Sequence, residues 1–180
     1  MYISSQDSYF SRIMIIFLDI DGVLFPNAFI GKSDHNYCQI DRFESIMRDF
    51  PACQIVITSG LREKRSLDSL RGMFSTDIAA RIVSVTPVIG LSIKHCRQRE
   101  IERYLRALDQ LSHPWLALDD VAVEFECGLD NLVLCNTFTG LNDAVEIQLR
   151  EKLVAIDTQS PMHMMPHRRE WLCQNEIPTE

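Results

Sequence analysis

The chain has no block of lysine or arginine, no paired cysteines and no long apolar run, and each absence removes a class of function. Basic residues number 18 against 25 acidic ones, a net charge of −7, and no basic stretch compensates locally. A surface of that sign does not attract nucleic acid broadly, so no strong general nucleic-acid binding is expected, although a narrow basic slot stays open. The six cysteines, Cys38, Cys53, Cys96, Cys127, Cys135 and Cys173, form no Cys-x-x-Cys pair and several sit among apolar neighbours. Reduced core thiols fit that pattern better than disulfides or a zinc site. The apolar run Ile13 to Leu18 is far too short to cross a bilayer, and no basic segment followed by a longer apolar one and a small-residue cleavage site opens the chain. The expectation is a soluble, cytoplasmic protein with no membrane partner. No internal repeat or low-complexity tract occurs. Gly31-Lys32-Ser33 resembles the end of a P-loop, but Pro26 stands where that motif needs glycine.

What remains is ordinary globular material, 46% hydrophobic and 24% charged, in 180 residues. That length suggests one domain with a substantial core. Residues 1–155 carry all the periodic segments, and 156–180, with Pro161, Pro166 and Pro178, reads as a C-terminal tail. Met1 to Arg12 is polar and Ser-rich and reads as a loose extension.

Ile13 to Leu18 is β-branched and apolar, the pattern of a buried strand. Gln54 to Ile57, Ile82 to Val85, Trp115 to Leu118 and Leu132 to Cys135 repeat it. Between them lie helical spacings. Phe43, Ile46, Met47 and Phe50 follow a candidate N-cap at Asp41 and stop at Pro51. Leu67, Leu70 and Phe74 mark a second helix. Ile101, Leu105, Leu108 and Leu111 stripe a third over Arg97 to Leu111. Val145, Leu149 and Leu153 stripe a last one. Strands alternating with helices predict an α/β fold, a doubly wound parallel sheet of about five strands covered on both faces. Phe25 to Gln39, with Pro26, Asn27, Gly31 and Asn36, reads as a loop or small hairpin hanging over one sheet edge.

Chemistry gathers where strands end. Asp19 and Asp21 follow the first strand, Thr58 and Ser59 the second, and Asp119 and Asp120 the fourth. In α/β sheets ligands bind beyond the carboxyl ends of the strands. Carboxylates brought together repel unless a cation or a shared proton offsets them, and a hard cation such as Mg²⁺ prefers oxygen ligands. Gly22 lets the chain turn sharply away from the site. Lys94, Arg97 and Arg99 open the third helix, with one of them expected to reach inward. Acids, a divalent metal, a hydroxyl and a cation are the parts needed to hold a phosphoryl group, and a carboxylate is itself a competent nucleophile toward phosphorus.

With these residues in view, Ile13 to Leu153 resembles the haloacid dehalogenase (HAD) superfamily of phosphohydrolases. Asp19-Ile20-Asp21-Gly22-Val23-Leu24 looks like its first motif, Ile55-Val56-Ile57-Thr58-Ser59-Gly60 its second, and Trp115-Leu116-Ala117-Leu118-Asp119-Asp120 its fourth. Arg97-Gln98-Arg99-Glu100-Ile101 and Phe138-Thr139-Gly140-Leu141 look closest to a capless branch, some of whose members are fused to RNA-repair enzymes. The resemblance implies a Rossmann-like catalytic domain over residues 1–155 with no large cap, and Mg²⁺ as cofactor. It implies Asp19 as nucleophile and Asp21 as the acid and base that also lends its carbonyl to the metal. Thr58, with Ser59 as alternative, would hold a phosphoryl oxygen. Asp119 and Asp120 would complete the metal shell, with Asp120 favoured as the direct ligand. The phosphate-facing cation of the third motif would be Lys94 or Arg97, and the Arg-x-x-Glu-Ile pattern favours Arg97. Asp21 marks phosphate chemistry, since halide-removing members lack that second acid. An open site implies a phosphorylated substrate that is bulky, such as a nucleotide, nucleic-acid end or protein, or else a cap supplied by a partner.

Elsewhere the plain reading dominates. His163, His167, Arg168 and Arg169 read as a solvated tail, His35 as a loop histidine, and Trp115 as packing. Arg62 either lines the phosphate pocket or pairs on a helix face. Two functions are carried forward: a Mg²⁺-dependent phosphatase, and a non-catalytic module that keeps the fold and binds phosphate or a protein.

Overall fold

A computed structural model describes residues 13–27, 39–90, 93–111 and 113–158. The expectations for residues 1–12, for most of the loop after Pro26 including His35 and Cys38, and for the tail beyond Thr158 lie outside the described residues.

Five strands form one parallel sheet in the order β3-β2-β1-β4-β5. They are β1 (Met14–Leu18), β2 (Cys53–Ile57), β3 (Ile82–Val85), β4 (Trp115–Asp119) and β5 (Leu132–Leu134). All pairings are parallel, with Ile16 opposite Ile55 on one side and Leu116 on the other. β1 is therefore central, which is why every one of its residues is buried and none is polar.

The pleat sorts its side chains onto two faces. Met14, Ile16 and Leu18 join the larger cluster with Phe43, Ile46 and Met47 of α1 (Ile40–Asp49) and Leu149 and Leu153 of α5 (Asp143–Thr158). Ile15 and Phe17 join the smaller one with Ile101 and Leu105 of α4 (Cys96–Ala107). Phe17 meets Tyr104 and Trp115 edge-on at centroid distances of 5.7 and 5.8 Å. Each fully buried Ile, Leu or Phe contributes about 1.5–3 kcal/mol, so the three layers hold without help from disulfides. Cys53, Cys96 and Cys135 are buried free thiols and Cys127 an exposed one. No described helix is long and apolar enough to cross a membrane.

Three helix expectations need correction. α1 starts at Ile40 with Gln39 as N-cap, and Asp41 lies inside its first turn, where a carboxylate favours the positive end of the helix dipole. The second helix, α2 (Leu67–Arg71), stops at its C-cap Gly72 and so leaves Phe74 outside it, and a separate short helix, α3 (Thr76–Ala79), follows with Ser75 as N-cap. α4 stops at Ala107, not Leu111. Asp109 adopts a left-handed φ of 55° and the Gln110 N–H turns back to the Leu105 carbonyl at 2.8 Å. Leu108 and Leu111 are consequently 50% and 54% exposed and leave the core stripe.

Candidate active site

The strand order puts a topological switch at β1 and β4. The chain moves from β1 outward through β2 to β3, then returns to lay β4 and β5 on the other side. Ligand crevices open at such points, beyond the carboxyl ends. Here the ladder carries the acids to that edge. The Asp19 N–H donates to the Leu118 carbonyl at 2.9 Å and the Thr58 N–H to the Leu18 carbonyl at 2.8 Å. An open cleft of about 260 Å³ lies above them.

Asp19, Asp21 and Gly22 line the cleft from β1, Asp120 and Val121 from β4, and Arg97 from α4. One carboxylate oxygen from each of Asp19, Asp119 and Asp120 lies within 4.8 Å of the others. Asp19 and Asp119 are buried, and Asp120 is half-buried. Asp19 Oδ1 accepts from the Ile20 N–H at 2.7 Å, and the buried Ser59 hydroxyl helps to lower the cost of its charge. Asp119 Oδ1 accepts from the Val121 N–H at 2.9 Å. Its Oδ2 is buried without a hydrogen-bond partner.

Gly22 sits at φ +76°, and a Cβ there would fall 2.0 Å from Asp120 Oδ2. The glycine thus serves the turn and also the close approach of the Asp120 carboxylate.

Arg97 is the cation in this acid cluster. Its Nη1 lies 3.6 Å from Asp19 Oδ1 and 3.4 Å from Asp119 Oδ2, and donates to the Thr58 carbonyl at 2.6 Å. Lys94, the other candidate, is exposed and does not line the cleft. Thr58 and Ser59 are buried, and Gly60 is the residue of that segment that lines the cleft. Asp21 is exposed on the cleft wall.

The electrostatics follow from this crowding. Burial, opposed by Arg97, raises the Asp19 carboxyl above its usual range. Burial and the neighbouring Asp19 push Asp119 up to about 7. Cys135, just after β5, is pushed up to about 12 by burial and the same acids, which makes it inert as a nucleophile.

Three hard oxygen donors in van der Waals reach of one point, one with an unused buried lone pair, form a donor set that fits a hard divalent cation such as Mg²⁺. A softer metal would want sulfur or imidazole, and none is in the cluster.

A family model described as the HAD domain in Swiss Army Knife RNA repair proteins matches residues 15–145. The chain belongs to that family. The matched span holds the five strands, short only of Met14 at the start of β1, and every cleft residue, and the described residues contain no large cap. No curated protein and no solved structure matches the chain.

Three features of this HAD domain had no place in the strand-end pattern. Asn27 and Thr137 line the cleft and join across 110 residues, Nδ2 donating to Oγ1 at 3.2 Å while the Asn27 N–H donates to the Thr137 carbonyl at 2.8 Å. Thr137 follows β5, so the rule that polar residues past a strand end are suspects extends to it. Of the two readings of Arg62, the pairing one holds: it does not line the cleft and it does pair with a helix residue, though in the interior and not on an open face. Its side chain is buried beneath the segment after β2, paired with Glu100 of α4 at 2.5 Å.

Proposed function

We propose that this HAD domain is a Mg²⁺-dependent phosphohydrolase that works through a phosphoryl group carried on Asp19. The observation that carries the reading is the meeting of three carboxylates with one arginine on a cleft that also holds Asp21. Asp19 attacks phosphorus while the bond to the leaving oxygen breaks, and Asp21 gives that oxygen its proton. Asp21 then takes a proton from water, which attacks the same phosphorus and releases Asp19 and inorganic phosphate. Arg97 and the Thr58–Gly60 segment orient the phosphoryl oxygens and balance their charge. Asp19, Asp120 and the backbone carbonyl of Asp21 would hold Mg²⁺, with Asp119 beside them, and the bound ion would supply charge neutralisation between the carboxylate and the phosphoryl group.

The open cleft and the RNA-repair setting of the matched family support nucleotides or nucleic-acid ends as substrates. The −7 chain fits recognition at an end better than binding along a backbone.

Thermal unfolding with Mg²⁺ and beryllofluoride tests the site without a substrate guess, because beryllofluoride on a carboxylate mimics the aspartyl phosphate. A ligand at one hundred times its Kd stabilises by about 2.7 kcal/mol. The expected shift needs both additives and vanishes in Asp19→Asn. Phosphate release from 5′- and 3′-phosphorylated oligonucleotides then tests the substrate. No shift and no turnover in either protein would replace this reading with that of a non-catalytic module.

A further inference from the structure

The buried pair behind the cleft carries an inference that rests on the phosphohydrolase reading. We infer that Arg62, held by Glu100, is the positioning residue of this site: it fixes the segment after β2, and through it Arg97, and so sets the affinity for a phosphoryl group.

Arg62 and Glu100 side chains are each only 4% exposed. The guanidinium spends its donors on four acceptors from three parts of the chain. Nη1 donates to the carbonyls of Thr58 and, at 2.9 Å, of Ser59; Nε donates to the Thr86 carbonyl after β3 at 3.2 Å; Nη2 faces Glu100. Glu100 Oε1 accepts in turn from the Ile89 N–H at 3.3 Å. The ends of β2 and β3, the loop after β3, and α4 all converge on one ion pair. A lysine, with one point charge, cannot address acceptors so far apart, whereas the planar fork of arginine can.

Two consequences bear on phosphate. The carbonyls of Thr58 and Ser59, which would repel an incoming anion, are taken up by Arg62. The Thr58 carbonyl is also the acceptor for Arg97, so two guanidiniums share one oxygen and its position fixes the reach of Arg97 toward Asp19. Glu100 cancels the charge of Arg62, which leaves Arg97 as the cation offered to the cleft. Arg97 and Glu100 are three residues apart on α4 and so share one helix face. One reaches forward and the other holds the floor.

The test is calorimetric titration of Mg²⁺ and beryllofluoride into wild type, Arg62→Lys and Glu100→Gln, at a temperature where thermal unfolding shows all three folded. Loosening one charge-assisted hydrogen bond to the ligand is felt as roughly a tenfold change in affinity or more, so Arg62→Lys should weaken Kd by about tenfold. Glu100→Gln, whose amide oxygen still accepts from Arg62, should weaken it less. A merely structural role would lower the unfolding temperatures and leave Kd at the wild-type value, and that result would overturn the inference. If Arg62→Lys does not fold, an unchanged Kd in Glu100→Gln overturns it alone. Failure of the wild type to bind, matching Asp19→Asn, is a separate outcome that removes the phosphohydrolase reading and this inference with it.

Discussion

Arg62 and Arg97 both donate to the carbonyl of Thr58, yet they end in different surroundings. Around Arg62 the Nε, Nη1 and Nη2 groups each meet an acceptor, and the facing acid, Glu100, sits at 2.5 Å. Around Arg97 the two facing acids stand off at 3.4 and 3.6 Å, and one of them keeps a buried oxygen without a hydrogen bond. The first cluster balances its own charge and has no need of a ligand. The second is short of positive charge, since Asp19, Asp119 and Asp120 crowd one guanidinium. Two buried arginine–acid clusters thus differ in what they lack, and the lack is what singles out the second as the candidate binding site. A complete buried pair is costly to break by removing one partner, and an incomplete one still has charge to offer a ligand.

The largest effect expected from this contrast is one of opposite signs. Arg62→Ala leaves Glu100 buried and unpaired and should cost about 3–5 kcal/mol of stability. Asp119→Asn removes a charge that the folded state holds at a disadvantage, while its Oδ1 still accepts from Val121. Without Mg²⁺ at mildly alkaline pH it should therefore raise stability, by about 1 kcal/mol or more. Urea unfolding of both variants checks this. Losses of similar size in both would erase the distinction between the clusters.

A smaller effect should come from Gly22→Ala, which strikes only the incomplete cluster. The added methyl would fall 2.0 Å from Asp120 Oδ2 in a backbone conformation with φ +76°. Strain of this kind costs about 1–3 kcal/mol, and the carboxylate must move to relieve it. The expected outcome is weaker Mg²⁺ binding together with that loss, read by calorimetry and unfolding on the same protein. Intact Mg²⁺ affinity would mean that Asp120 is not held by its contact with Gly22.

The two clusters were not equally legible in the sequence. Asp19, Asp119 and Asp120 stand directly after apolar strands, and a parallel sheet sends all such ends to one edge, so the acids could be read from position alone. Their meeting required β1 to lie beside β4, and the strand order provides it. Arg62 and Glu100 are 38 residues apart and neither lies at a strand end, so no periodicity links them. Asn27 and Thr137 are farther apart still. The choice between Lys94 and Arg97 also depended on geometry beyond spacing. His95 adopts a left-handed φ of 56° just before α4, a turn that hydrophobic periodicity does not reveal, and Arg97 lies in the cleft while Lys94 is exposed. Leu108 and Leu111 continued an apolar stripe that the chain leaves at Ala107. Local pattern conveyed the strands and their acids, whereas the long-range pairs that hold them arise only when the chain is folded.

The pH dependence is the subtlest way to separate the clusters. Burial and Asp19 raise the Asp119 carboxyl from 3.8 to about 7, and burial raises Asp19 in the same direction. Between those values the folded protein keeps a proton that the unfolded chain has released. Protonation therefore favours the folded state, and this contribution is complete below the unfolded value and lost as pH rises through about 7. Without Mg²⁺, stability should fall over that window by no more than about 1.4 kcal/mol per pH unit for this one group. Glu100 is also raised by burial, against the pull of Arg62, so it adds a slope of the same sign. The two sources part company when Mg²⁺ is added. A cation at Asp119 competes with its proton, so Mg²⁺ affinity should climb by up to about tenfold per pH unit and level off above neutrality. Glu100 keeps Arg62 as partner whether or not Mg²⁺ is present, and its share of the slope should survive saturation with the metal. Calorimetric Mg²⁺ titrations across this range, on wild type and Asp119→Asn, measure the difference. A flat wild-type profile would show that Asp119 does not exchange its proton for the cation, and the unpaired oxygen would then need another explanation.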